Sequence, residues 1–241
     1  MEGNYVHIIL QGKGGVGKTL AAALLCQHQL ARNANVAAFD TDPVNDSLHQ
    51  YRGLPVKAIS LLTRDKRIDV GAFDGLVTEL VWHDGVAVVD NGASTFVPLA
   101  AYLAEGHVLP VLREARRKVV LHTVLTGGQA MDDTVHGLQA LLGAFDAPVV
   151  VWLNEFFGEI AREGRGFLQS QLYLQHRHRI VGTVQLPRLN PDTYGRDFAR
   201  MLAAKLTFAQ ALDGEHFELM PRQRLTMLRD ELYAQLDALK P

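Results

Sequence analysis

Eight residues near the N-terminus, Gly12-Lys13-Gly14-Gly15-Val16-Gly17-Lys18-Thr19, leave few folds open to this chain. They meet the Gly-x4-Gly-Lys-[Ser/Thr] spacing of a P-loop, and they lie where a P-loop must, after an apolar β-branched run and at the start of a helical pattern. Glycines at this spacing let successive N–H groups turn inward around phosphate oxygens, and the helix N-terminus adds its positive end. Lys18 is then placed to reach β- and γ-phosphates. The Thr19 hydroxyl is the expected Mg²⁺ ligand, because magnesium takes oxygen donors and shares the phosphates with the protein. Leu20 completes the predicted binding segment. The expected ligands are ATP or ADP with Mg²⁺.

The rest of the chain supplies the framework such a loop needs. Short apolar runs at residues 6–10, 36–39, 86–90, 118–125, 148–153 and 180–186 read as strands, and several are continuous rather than alternating, as in Val86-Ala87-Val88-Val89. Strands buried on both faces have this pattern. Between them, helical periodicity covers 18–32, 70–82, 129–144, 194–205 and 222–239. Residues 56–62 and 107–112 read as edge strands. The alternation predicts a doubly wound α/β fold with a mostly parallel sheet flanked by helices. At 241 residues, without a repeat or a Ser/Pro/Gly-rich linker, a single domain spanning 1–241 is expected.

Ligands of open α/β sheets bind beyond the carboxyl ends of the strands. Two carboxylate loops share that edge with the P-loop: Asp40-Thr41-Asp42-Pro43-Val44-Asn45 after one strand and Asp90-Asn91-Gly92-Ala93-Ser94 after another. Asp90 fits a Walker B aspartate at the Mg²⁺, with Asp40 beside it. Asp42 fits the residue that positions an attacking water, since phosphoryl transfer asks a protein mainly for positioning and charge neutralisation. The bland alternative is that these aspartates only organise turns.

Lys13, one residue into the motif, resembles the deviant Walker A lysine of the ParA/MinD family, and Asp40-Thr41-Asp42 resembles that family's Asp-x-Asp loop. The resemblance implies that Lys13 reaches the partner subunit's nucleotide in an ATP-bound homodimer, that Asp42 positions the hydrolytic water, and that the protein is a slow ATPase. It also implies that Asn154, ending a core strand, reads adenine, with Pro187 near the other adenine-side loop. Residues 11–19, 40–45, 90–99, 126–130, 194–198 and 222–225 are similar to a branch of the family found in plasmid conjugation systems. That likeness implies a role in conjugative DNA transfer, with conjugation or secretion-system proteins as partners. Asp90-Asn91-Gly92-Ala93 departs from the Asp-Thr-Pro-Pro or Asp-Ser-Pro-Ala of the wider family.

Other features narrow the reading. A formal net charge of −2 gives no global attraction to DNA or anionic lipid. The runs Arg113/Arg116/Arg117/Lys118 and His176-Arg177-His178-Arg179 are the local exceptions, and without interleaved aromatics they read as solvated faces before they read as a DNA-coating surface. Cys26, the single cysteine, reads as packing; it is one too few for the superfamily's cluster-bridging iron proteins. No apolar run is long enough to span a bilayer and no signal pattern precedes the first strand, so a cytoplasmic protein is expected. Leu225, Leu228, Leu232, Leu236 and Leu239 form a stripe expected to dock on the sheet or a dimer partner. Two alternatives remain at this level: a nucleotide-stabilised scaffold with little hydrolysis, and a partition ATPase that binds DNA.

Overall fold

A computed structural model describes residues 3–42, 47–63, 65 and 68–240. Its strands are β1 (Tyr5–Ile9), β2 (Val36–Asp40), β3 (Val56–Ala58), β4 (Val86–Asp90), β5 (Lys118–Thr126), β6 (Val149–Asn154), β7 (Ala161–Arg162), β8 (Arg165–Gly166) and β9 (Ile180–Leu186). Seven of them form one sheet in the order β3-β2-β4-β1-β5-β6-β9, with every pairing parallel. β7 and β8 make a separate antiparallel hairpin. The helices are α1 (Lys18–Leu30), α2 (Ala72–Trp82), α3 (Phe96–Glu105), α4 (Val108–Glu114), α5 (Met131–Ala144), α6 (Gln171–His176), α7 (Tyr194–Ala203), α8 (Phe208–Asp213) and α9 (Leu219–Asp237).

The sheet is doubly wound because its strands are apolar on both faces. Tyr5 and Ile9 of β1 and Val86 and Val88 of β4 join a core with α1, α7, α8 and α9. The alternate residues Val6, Ile8, Ala87 and Val89 join a second core with α2, α3, α4 and α5. The leucine stripe of α9 belongs to the first core: Leu225, Leu228, Leu232 and Leu236 are buried there, each contributing ~1.5–3 kcal/mol. Leu239 packs over Gly182, with its Cδ2 2.3 Å from where a Cβ would stand. No helix among the described residues is long and apolar enough to cross a membrane.

One expected edge strand is a helix. Residues 107–112 fall largely in α4, with Val108, Leu109 and Leu112 buried. A short apolar run has no period of its own, and Pro110 sits in the first turn, where its missing N–H costs nothing. The run expected at 56–62 is an edge strand, but it keeps only Val56–Ala58, while Leu62 forms an isolated bridge to Ile68. Helices α6 and α8 and the β7–β8 hairpin are too short to carry a periodic signal, whereas α3, as long as α7, is a helix that the sequence reading does not include.

The core also holds a polar chain. The Trp152 indole N–H donates to His122 Nδ1 at 3.1 Å. An indole only donates, so His122 carries its proton on Nε2 and donates to His7 Nδ1 at 2.9 Å. Burial holds both rings neutral, with His122 pushed down to about 3 and His7 well below its usual value.

Candidate nucleotide site

The carboxyl edge of the sheet gathers the predicted residues. β1, at the centre of the sheet, delivers the P-loop. Its register pairs Ile9 with Asp90 on β4, and Asp90 in turn pairs with Asp40 on β2. On the other side Thr126 of β5 pairs with Asn154 of β6. Between the P-loop, the loops that follow β2 and β4 and Leu202 of α7 lies a cleft of 570 Å³ whose walls include Gly14, Gly15, Gly17, Lys18, Thr19 and Leu20.

Gly17 caps α1 with φ 103°, a left-handed conformation that disfavours any residue with a Cβ. A Cβ there would also stand 2.8 Å from Asn154 Nδ2. Asn154 is held against the loop: its Nδ2 donates to Val16 O at 2.9 Å, and its Oδ1 accepts from Phe156 N at 3.2 Å. Pro187 directly follows β9, half-buried. Gln11, which the motif does not include, pins the entry to the loop. Its buried amide donates to Val124 O and Thr134 O, both at 3.1 Å, and its Oε1 accepts from Lys13 N at 3.4 Å.

The two lysines of the motif have different surroundings. Lys18 is 7% exposed, and its Nζ donates to Lys13 O at 2.8 Å. Burial pulls its pKa down, opposed by Asp90 and Asp42. Lys13 points outward and forms an ion pair with Asp133 of α5 at 2.7 Å. The neighbouring Asp132 pairs with Arg162 of the β7–β8 hairpin.

The carboxylates also divide by role. Asp40 is turned into its own loop, with Oδ1 accepting from Asp42 N at 3.0 Å and Oδ2 accepting from Leu48 N at 2.8 Å and His49 N at 3.1 Å. Residues 43–46 of that segment lie outside the described residues. Asp42 lines the cleft and packs closely on Gly92, where an added Cβ would come within 2.8 Å of its Cγ. Asp90 is 1% exposed, and its Oδ1 has no hydrogen-bond partner. Burial is the main force raising its pKa to about 7; Asp40 and Asp42 add to the rise, while the Thr19 hydroxyl and Lys18 oppose it.

Hydroxyl groups tie the two carboxylate loops together. Thr41 donates through Oγ1 to Asp90 O at 2.9 Å. Thr95 contacts Asn91 Oδ1 at 2.6 Å, Gly92 O at 3.0 Å and Thr41 O at 3.2 Å. Although Thr95 occupies the N-cap position of α3, its side chain makes no capping bond. Phe96, next in sequence, presses its ring to within 2.9 Å of the Cβ position of Gly12.

A buried carboxylate oxygen without a partner, beside a hydroxyl and a lysine, suits a divalent cation. Among the described residues no three His, Cys, Asp or Glu side chains converge to hold a metal by themselves. An ion at Thr19 and Asp90 would therefore complete its shell with water and phosphate oxygens, as magnesium does.

The basic runs are partly spent on structure. Arg117 is 2% exposed and donates to His83 O at 2.5 Å and Tyr5 O at 3.2 Å, while Arg113 reaches Asp146 O. Arg179 covers carbonyls at the end of α5 and just beyond it, including Leu142 O at 2.6 Å. Cys26 is fully buried, and burial pushes its thiol pKa up.

Residues 7–194 match the CobQ/CobB/MinD/ParA nucleotide binding domain. Two Escherichia coli proteins, each called Protein TraL, are similar along nearly the whole chain. One is 42% identical over 234 residues, covering 96% of this chain and 97% of its own. The other is 43% identical over 235 residues, covering 97% of each. Among solved structures, the MinD cell division protein of Aquifex aeolicus aligns with TM-score 0.53 at 17% identity over 98% of both chains. The septum site-determining protein MinD of Pyrococcus horikoshii, solved with Mg-ADP, aligns with TM-score 0.55 at 14% identity, covering 94% of this chain and 95% of that one. At such identities the structural likeness speaks for the fold.

Proposed function

Since the chain belongs to the CobQ/CobB/MinD/ParA nucleotide-binding family and, within it, groups with TraL, we propose that it is a Mg-ATP-dependent switch ATPase serving conjugative DNA transfer. The observation that carries this reading is the partnerless Asp90 oxygen, buried beside Thr19 and Lys18 of the P-loop. The Mg²⁺ ion would be held by Thr19 and, through water, by Asp90, and when bound it neutralises charge on the phosphates. Backbone N–H groups from Gly14 to Leu20 cradle the phosphate chain, and Lys18 exchanges its contact with Lys13 O for β- and γ-phosphate oxygens. Asp42 holds and orients the attacking water. Asp40 keeps the loop that carries Asp42 in shape, and Asn154, with Pro187, lies on the adenine side.

Lys13 is the cross-subunit residue of the same reading. Its ion pair with Asp133 is exposed, with both side chains about half accessible, and such pairs hold weakly. Lys13 can therefore leave Asp133 for a partner subunit's phosphates. The ATP-bound homodimer then recruits or positions conjugation or secretion-system proteins, and hydrolysis returns it to monomers.

The solution mass with Mg-ATP, with Mg-ADP and without nucleotide tests this. Mg-ATP should give a dimer that Asp42→Ala prolongs, that Lys13→Ala fails to form, and that Lys18→Ala cannot form for want of nucleotide. A mass indifferent to nucleotide in every variant would leave the protein a static scaffold.

A further inference from the structure

Lys205 stands where a helix normally places glycine. α7 closes with Leu206 N donating to Met201 O and Lys205 N donating to Leu202 O, both at 3.1 Å. This pair of bonds puts the residue just past the helix in the left-handed region, and Lys205 has φ 53° there. A residue with a Cβ is disfavoured in that conformation relative to glycine. The backbone gains nothing from lysine here, as at Asn33 and Arg116, which close helices in the same way, so the case for Lys205 rests on where its side chain goes.

That side chain is directed. Its Nζ lies 5.3 Å from the centroid of the Tyr51 ring, and Tyr51, 3% exposed, is a fixed platform. A cation held over an aromatic face keeps a defined position without losing its charge. Lys205 and Tyr51 line the same cleft as Gly14, Lys18, Thr19 and Leu20. Among the described residues no carboxylate forms an ion pair with the Lys205 ammonium. An ammonium set into a phosphate-binding cleft, on a backbone that would prefer glycine, has a polyanion as its natural counterpart.

We infer that Lys205 is a further cation of the nucleotide site, beyond the lysines of the P-loop, contacting phosphate oxygens of the bound nucleoside triphosphate from the α7 side. The inference rests on the reading of this cleft as the nucleotide site. It also links α7 to occupancy, because the ammonium at its C-terminus is attached to the ligand when the cleft is filled.

Lys205→Gly is an unusually clean test, since it removes the ammonium while giving the helix end its preferred residue. Mg-ATP and Mg-ADP affinities would be measured by calorimetry for the wild type, Lys205→Gly, Lys205→Arg and Lys18→Ala, alongside the melting temperature of each nucleotide-free protein. Lys205→Gly should bind Mg-ATP about tenfold more weakly, the loss of one charge-assisted contact, with a melting temperature at or above wild type. Lys205→Arg should stay within about twofold of wild type, since the charge is kept. Affinity of Lys205→Gly within about twofold of wild type would overturn the inference, as would equal weakening in Gly and Arg variants, which would make the effect one of shape. Failure of the site reading itself looks different: the wild type would not bind Mg-ATP, or Lys18→Ala would bind it equally well.

Discussion

Replacing Asp90 with asparagine should make the nucleotide-free protein more stable at pH 8 while weakening its hold on Mg-nucleotide. In the fold the carboxyl pKa rises from 3.8 to about 7, whereas in the unfolded chain it returns to the ordinary value. Each unit of difference is ~1.4 kcal/mol, so ionising Asp90 inside the fold costs up to ~4 kcal/mol above pH 7. A buried asparagine with an incompletely paired amide still costs ~1–2 kcal/mol, which leaves a net gain of about 2–3 kcal/mol. For a chain of this size that is a rise in melting temperature of about 4–12 °C.

The pH dependence carries the diagnosis. A carboxyl whose folded pKa is raised imposes nothing below about pH 4, an increasing penalty between about 4 and 7, and its full penalty above. The advantage of Asp90→Asn should therefore be largest at pH 8 and fall to near zero by about pH 5. His7 and His122 change wild-type stability in the opposite sense over much of the same window, because both are held neutral while the unfolded chain takes up protons below about 6.5. Their contribution is common to both proteins and cancels in the difference. Thermal denaturation of both proteins in chelator from pH 5 to 8 gives that difference directly. A shift in melting temperature that stays the same across the range, or a variant less stable at pH 8, would refute the account of Asp90 as a strained, cation-seeking carboxylate.

Two further substitutions probe the frame around the site. Gly17→Ala must take a left-handed backbone and meet Asn154 Nδ2 at 2.8 Å, so it should cost ~1–3 kcal/mol in urea denaturation and abolish Mg-ATP binding; near-wild-type affinity would mean the loop adapts. Arg117→Met leaves the carbonyls of Tyr5 and His83 without the guanidinium and should cost ~2–3 kcal/mol by the same measurement; a loss under about half a kilocalorie would mean other donors replace it.

What could be read from the sequence was what is local. The P-loop announces itself because its chemistry is packed into eight consecutive residues, and β4 and β6 because burial on both faces leaves no polar residue in their apolar runs. Asp42 was legible as a residue just past a strand and Asp90 as the residue that ends one. The internal use of Asp40 was not, since Leu48 and His49 return to it by a turn that no motif encodes. Contacts between distant segments were silent as well. Gln11 meets Thr134, Lys13 meets Asp133 and Lys205 meets Tyr51 only once the sheet has brought α5 and α7 to its carboxyl edge. Residues 107–112 misled because a five-residue apolar run fits a strand or a helix equally well, and only packing of Val108, Leu109 and Leu112 on one side decides it.

The threonine ties between the two carboxylate loops give the cleft an outward voice. With Thr41 bonded to Asp90 O and Thr95 reaching back to Thr41 O, neither loop can shift alone, and Thr95 is the residue from which α3 springs. At the start of that helix the surface is apolar: Val97 is 70% exposed, and Phe96 leans on the P-loop glycine. A displacement of either carboxylate loop therefore reaches, through Thr95, the exposed apolar side chain at the start of α3.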